Sequence, residues 1–475
     1  MSGDDIERPD AGDDDPDKER GQNPFAGTPF EQMMSAFMSG QTGMQAGGTG
    51  QGMPDLSTLL SQVQRMLAPH EGSVNWDLAK EIARAGVAQA KDPSPTSADQ
   101  TAVADAVRLA DLWLDTATEF GSATTHAAAW SRAEWVEATM PVWQLLVEPV
   151  AGAVVEAMGH SMPAEAQAMA GPILGMLGQA GGAMFGTQVG QAIGGLATEV
   201  VNACEIGLPL GPEGHSAILP VNVREFGAGL GLEASDVLLY IALRECAAQR
   251  LFKHVPWLRA HLFGAVEEYG RGITIDLAAI QQSMQGFDPT NPEALNDALS
   301  GGLFEPEQTP AQAATLVRLE TALALVEGWV DEVVGQATSG RMPAANQLHE
   351  AVRRRRASGG PAEQTFAALV GLELRPRRLR DAAALWGSVR SARGPEVRDA
   401  VWSHPDLLPT PEDLDDPLGF SEKTNETRVV DDARFDAALA DLLDQAAQDE
   451  SGTDVDDPDV DDPDEDPTGE ASEGR

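Results

Sequence analysis

The side chains able to do acid, base or metal chemistry are thinly spread along this chain of 475 residues. Two of its histidines, His254 and His261, flank the segment VPWL, and His215 stands in a loop ahead of them. A metal site built from these imidazoles needs them to converge, and Pro256 argues against one straight helix carrying both later ones. Glu245 lies upstream in a helical run, where a carboxylate could act as a general base. Cys204 and Cys246 are too few for a disulfide framework, and a reducing compartment is their simplest home. The loops GPEGH (Gly211 to His215) and SGGPAE (Ser358 to Glu363) lack phosphate-loop spacing, and no G-x-G-x-x-G follows a convincing strand, so no nucleotide cofactor is indicated. A Ser, His and Asp triad is not legible either, because only geometry defines one.

The strongest basic concentration comprises Arg353 to Arg356, then Arg375, Arg377, Arg378 and Arg380. It could take an anionic ligand, a nucleic acid or the chain's own carboxylates. With a formal net charge of -43, internal salt bridging is its expected use. The same surplus makes the chain a poor candidate for general nucleic-acid binding, which depends on counterion release by Lys and Arg.

Helices must position these residues. From Leu56 the pattern is helical, with Leu59, Leu60, Val63 and Leu67 at near-helical spacing and a longer amphipathic run from Ala98 to Phe120. Trp113, Trp130, Trp135 and Trp143 read as core residues of the next region. The run from Ala166 to Thr198 carries no charge and would be the place for a membrane helix. Gln167, Gln179, Gln188 and Gln191 interrupt it, so a buried helix is expected and no membrane insertion. Gly178, Gly182, Gly186, Gly190 and Gly194 form one slowly rotating stripe on that helix, against which another backbone can lie closely. Residues 205 to 232 break the pattern with Gly and Pro, and AILPVNV and GLPL are candidate extended pieces. Helical periodicity resumes at Ser235, with Ser235 or Asp236 as N-cap, and runs with interruptions to about Ala392.

The ends are different. Residues 1–55 are acidic and then rich in Gly, Gln and Met, and residues 421–475 include the run DVDDPDVDDPDED from Asp454 to Asp466. Such stretches bury too little apolar surface to offset their ordering entropy and are expected to be disordered tails. The acidic N-terminus is unlike a secretory signal, which points to a cytoplasmic protein. The body is therefore residues 56–420, mainly α with few short strands.

Within that body the order LLYIALRE, RLF and HVPWLRAHL, from Leu238 to Leu262, resembles the zincin-like zinc-dependent metalloprotease family, a domain of unknown function of the type associated with coenzyme F420 biosynthesis. The family's pattern there is HExxH followed by VPWL. ALVEGWVDEVV (Ala324 to Val334) is similar to its LLEGH helix, and the stretch from Arg353 to Trp386, followed by VWSHPDLLP, to its C-terminal part. In HExxH the two histidines share one helical face and hold zinc, while the glutamate acts as base on the metal-bound water. Here those histidine positions hold Arg244 and Ala248, and Glu245 alone is kept.

Arginine stays protonated and has no lone pair to give, and alanine offers nothing. The resemblance makes Glu327 the match for a third ligand and puts Trp329 where the family has His. It therefore implies a hydrolase-type family member that has lost zinc and serves as a non-catalytic binding or scaffolding protein, with a protein or peptide partner. No cofactor is expected. Two alternatives stay open: an active hydrolase, either with metal ligands recruited from His215, His254 or His261 (Glu327 with His254 or His261) or without a metal through Glu245 alone, and a polyanion or nucleic-acid binder using Arg353 to Arg380. Glu245 is expected to pair with Arg244, Arg250 or another cation, which would lower its pKa. Arg244 is expected to pair with Glu327 where zinc would bridge the two helices.

Overall fold

The computed structural model describes residues 70–160, 171–272, 309–357 and 378–422, all within one compact unit. Both acidic ends apart from Ser421 and Glu422, the helical pattern from Leu56 to Leu67, and Arg375 and Arg377 lie outside the described residues.

Helix starts follow local chemistry. α1 (Trp76–Gln89) is capped by Asn75, which accepts from the Leu78 N–H at 3.0 Å. α2 (Ser97–Leu114) opens on a reciprocal Thr96–Asp99 capping box, which satisfies amides that the helix itself leaves without partners. β1 (His126–Ala129) leads into α3 (Arg132–His160), and α4 (Gly171–Ala197) follows. β2 (His215–Ile218) pairs in parallel with β1, His126 opposite His215 and Ala129 opposite Ile218. Part of AILPVNV is thus a strand, but Pro220 starts the short helix α5 (Pro220–Gly227), its missing N–H costing nothing at a first turn. GLPL forms no strand.

α6 (Ala234–His254) carries the LLYIALRE segment and begins slightly earlier than expected. Its N-cap is Glu233, without a side-chain cap bond, and Asp236 sits in the first turn, where a carboxylate suits the helix dipole. Pro256 ends it and starts α7 (Pro256–Arg271), so His254 and His261 belong to different helices. α8 (Pro310–Thr338) opens on a Thr309–Gln312 capping box with Pro310 in the first turn. α9 (Ala345–Ala357), α10 (Leu379–Arg393), α11 (Pro395–Ala400) and α12 (Pro411–Asp415) complete the order.

The glycine stripe meets α1. A Cβ on Gly186 would lie 2.4 Å from the Asn75 carbonyl, one on Gly190 2.4 Å from that of Ala79, and one on Gly194 3.1 Å from Ala83 Cα. Both sets of residue numbers rise together in steps of four, so the helices run parallel, and only glycine permits this approach. Gly182 instead faces the His70 side chain ahead of α1, and Gly178 has open space beside it.

Among the described residues one helix, Arg132–Glu156, is long and apolar enough to cross a membrane. It is also a core helix, with Trp135, Val136, Trp143 and Leu146 buried. Trp113 and Trp130 are half-buried against the same core. That core is continuous and centres on α6 and α8, whose side chains are buried nearly all round, charged ones included.

Candidate functional site

A buried charge on a core helix must find partners or become neutral. Arg244, on α6, is 6% exposed and reaches across to α8. One of its terminal nitrogens lies 2.8 Å from Glu327 Oε2, and the other is 3.4 Å from Asp331 Oδ1. Glu327 and Asp331 stand one helical turn apart on the same face of α8. α9 closes the network: Arg356 bonds Glu327 Oε1 at 3.0 Å, Arg353 bonds Asp331 Oδ2 at 2.9 Å, and His349 Nδ1 lies 3.0 Å from Asp331 Oδ1. Arg355 pairs with Glu205 at 3.3 Å and donates to the Glu199 carbonyl.

Burial opposes the charge on Arg244, but Glu327, Tyr240 and Asp331 outweigh it and hold the guanidinium above its ordinary pKa. Burial likewise pushes Asp331 up, yet the hydrogen bond from His349 and the charges of Arg244 and Arg353 bring its carboxyl below the usual range. The Tyr240 hydroxyl, also on α6, is buried beside the Arg244 guanidinium, and burial pushes its pKa up to about 12.

Arg244, Ala248 and Glu327 line one cleft together with Asn202, Cys204, Glu205, Arg355 and Arg356. Positions 244 and 248 thus share a helical face that looks at Glu327, as a metal between the two helices would require. The donors do not fit a metal. A guanidinium and a methyl group occupy the helical positions, and both oxygens of Glu327 are held by Arg244 and Arg356. Among the described residues no three His, Cys, Asp or Glu side chains converge as a metal site would require.

The histidines weighed as substitutes are dispersed. His215 stacks on His126 across the strand pair, with ring centroids 5.1 Å apart. His254 stacks on Phe120 at 5.2 Å, and His261 stands edge-on to Trp257. Trp329 points away from the Arg244 network, donating to Asp399 Oδ1 at 2.9 Å beneath the Arg398 guanidinium.

Glu245 departs from its expected pairing. None of the ion pairs among the described residues involves it: it accepts from the Cys204 N–H and from Gln249 Nε2, each at 3.0 Å. Arg250 goes to Asp111 and Asp115 instead. With no cation beside it and no exposure, burial dominates and raises the Glu245 pKa to about 7, the opposite of the expected lowering. Glu245 does not line the cleft. Cys204 is a residue of the cleft lining, but its Sγ accepts from Gln249 Nε2 at 3.4 Å, and burial and the Glu245 charge push its pKa well up, so it stays a thiol.

The basic cluster is largely absorbed. Arg353, Arg355 and Arg356 pair as above, Arg354 pairs with Glu350 within α9, and Arg378 pairs with Asp415 and bonds the Pro411 carbonyl. Three features escaped sequence reasoning. Asp331 as a hub and His349 as its partner carry no local signal, and Glu205 is brought in by the chain turn after α4.

No curated protein matches the chain. A crystal structure of a "putative hydrolase with a novel fold" from Chloroflexus aurantiacus is similar, with a TM-score of 0.53 and 19% identity, covering 74% of this chain and 99% of that one. At that identity the likeness speaks for the fold alone. The sequence profile of the zincin-like metallopeptidases matches residues 74–420, which takes in the α6, α8 and α9 elements of the cleft, and the chain belongs to that family.

Proposed function

We propose that this chain is a zincin-like family member in which the Arg244 guanidinium has taken the place of the metal. It works as a non-catalytic binding or scaffolding protein in the cytoplasm, with a protein or peptide partner. The observation that carries this reading is the saturation of Glu327, whose two oxygens are held by Arg244 at 2.8 Å and Arg356 at 3.0 Å. A divalent cation placed there would meet fixed positive charge and would lack imidazole donors. The enclosed position of Glu245, away from the cleft lining, supports the same reading, because a general base must reach the proton that it takes. The free, buried state of Cys204 and Cys246 accords with a reducing compartment.

Elemental analysis of the purified, untagged protein, together with a peptidase assay on an unfolded protein substrate with and without added zinc, tests it. Absence of stoichiometric zinc and of peptidase activity is expected. Tightly held zinc, or hydrolysis lost on Glu245→Gln, would return the chain to the working hydrolases.

A further inference from the structure

One wall of the cleft, α9, is attached largely through charged side chains. Among the described side chains of α9, Leu348 is fully buried, while Val352 is half-buried and the rest are half-buried or exposed. Ala345 and Val352 also pack on the core, and the Arg355 guanidinium lies over the Phe226 ring at 5.5 Å; the remaining ties are polar. His349 and Arg353 reach Asp331, Arg356 reaches Glu327, Arg355 reaches Glu205, and Gln347 Nε2 donates to the Leu230 carbonyl at 2.7 Å. Val352, Arg355 and Arg356 form one side of the cleft, facing Arg244 and Ala248 of α6.

We propose that α9 is a lid over this cleft, latched by ion pairs from its own cations to carboxylates of α8 and of the chain turn at Glu205, and that its opening exposes Arg244 and Ala248. The proposal rests on the binding reading only for what the opened cleft would receive. The lid itself follows from how α9 is held.

The latch differs from the structure beneath it on its cation side. The side chains of Arg353, Arg355 and Arg356 are 24%, 27% and 18% exposed, within reach of screening by salt, while their carboxylates Asp331, Glu205 and Glu327 are 3%, 16% and 7% exposed. In the Arg244–Glu327 pair both side chains are 7% exposed, so that pair is shielded on both sides and holds α6 to α8 while the lid moves. A helix seated by apolar burial would not respond to salt in this way. An anionic ligand is a weaker candidate for opening the lid, because the chain carries a net charge of -43 and each cleft arginine already has a carboxylate.

Hydrogen exchange read by mass spectrometry on the full chain tests the lid, in low salt and in molar sodium chloride, beside an Arg353→Gln/Arg356→Gln variant. Exchange in α9 is expected to rise about tenfold in salt or in the variant, the effect of losing two partly exposed pairs. The amides of α6 and α8 should keep their protection. Should the variant fold poorly, the salt series on the unaltered chain still decides. Unchanged α9 exchange, or loss of protection in α9 and α8 together, overturns the lid. Metal content plays no part in these readouts, so the lid can fail while the non-catalytic reading stands, and the reverse.

Discussion

Arg244 on α6 and Glu327 on α8 meet at 2.8 Å, both nearly closed off from solvent, and this pair ties the motif helix to the helix that packs beside it. The pairing is legible in outline in the sequence, because the resemblance to HExxH and LLEGH implies that positions 244 and 327 face one another across two helices. It also makes a quantitative prediction. Removing either partner takes one of two counter-charges from a buried ion, since Glu327 keeps Arg356 and Arg244 keeps Asp331. The cost therefore falls below that of a fully uncompensated buried charge and is on the order of 1 to 3 kcal/mol. Arg244→Ala and Glu327→Ala should each lower stability by about that much, and the double variant by clearly less than their sum. Chemical denaturation of the four proteins measures the coupling, and strict additivity would show that the pair is not the link.

The helical face itself is still arranged for two donors. Arg244→His with Ala248→His places imidazoles one turn apart, facing Glu327 across the cleft. Adding Arg356→Gln frees Glu327 Oε1, which Arg356 otherwise holds. The triple variant is expected to retain zinc through dialysis, and the unaltered chain is not. If neither retains it, the cleft has lost more than its ligands.

The glycines of α4 give a pair of substitutions with opposite signs. At Gly190 a new methyl group would sit 2.4 Å from the Ala79 carbonyl, forcing α1 and α4 apart, and Gly190→Ala should destabilise by about 1 to 3 kcal/mol. At Gly178 nothing lies within 4 Å, so Gly178→Ala should stabilise by up to about 1 kcal/mol through helix propensity alone. Urea melts of both variants read the signs directly. Equal effects would mean that the stripe is not a contact surface.

What the sequence shows and what it hides divide along range. The break at Pro256, the glycine stripe and the use of arginines 353 to 356 in internal pairs follow from local spacing and charge balance. The partners of Glu245 do not, because the Cys204 N–H arrives from 41 residues away and neither it nor Gln249 looks like a cation. β1 was hidden for a related reason. Its residues HAAA have no strand propensity, and pairing with β2 across a long connection makes the strand. The Asp331 hub combines both problems, since His349 and Arg353 reach it only after α9 folds back over α8.

Glu245 carries the last prediction. Its folded pKa is raised by burial from the ordinary 4.5 to about 7, so the native state binds this proton more tightly than the unfolded chain does. Between those values the folded protein holds more protons, and its stability therefore falls as pH rises, by about 3 kcal/mol in total once pH passes 7. Below pH 4.5 the group contributes no slope. Glu245→Gln keeps an oxygen for the Cys204 N–H but cannot ionise, so its stability should lose this part of the pH dependence and exceed that of the unaltered chain at pH 8. Denaturation curves of both proteins at pH 5 and pH 8 give the comparison. If the difference between the two proteins is the same at both pH values, Glu245 is not the buried proton holder described above.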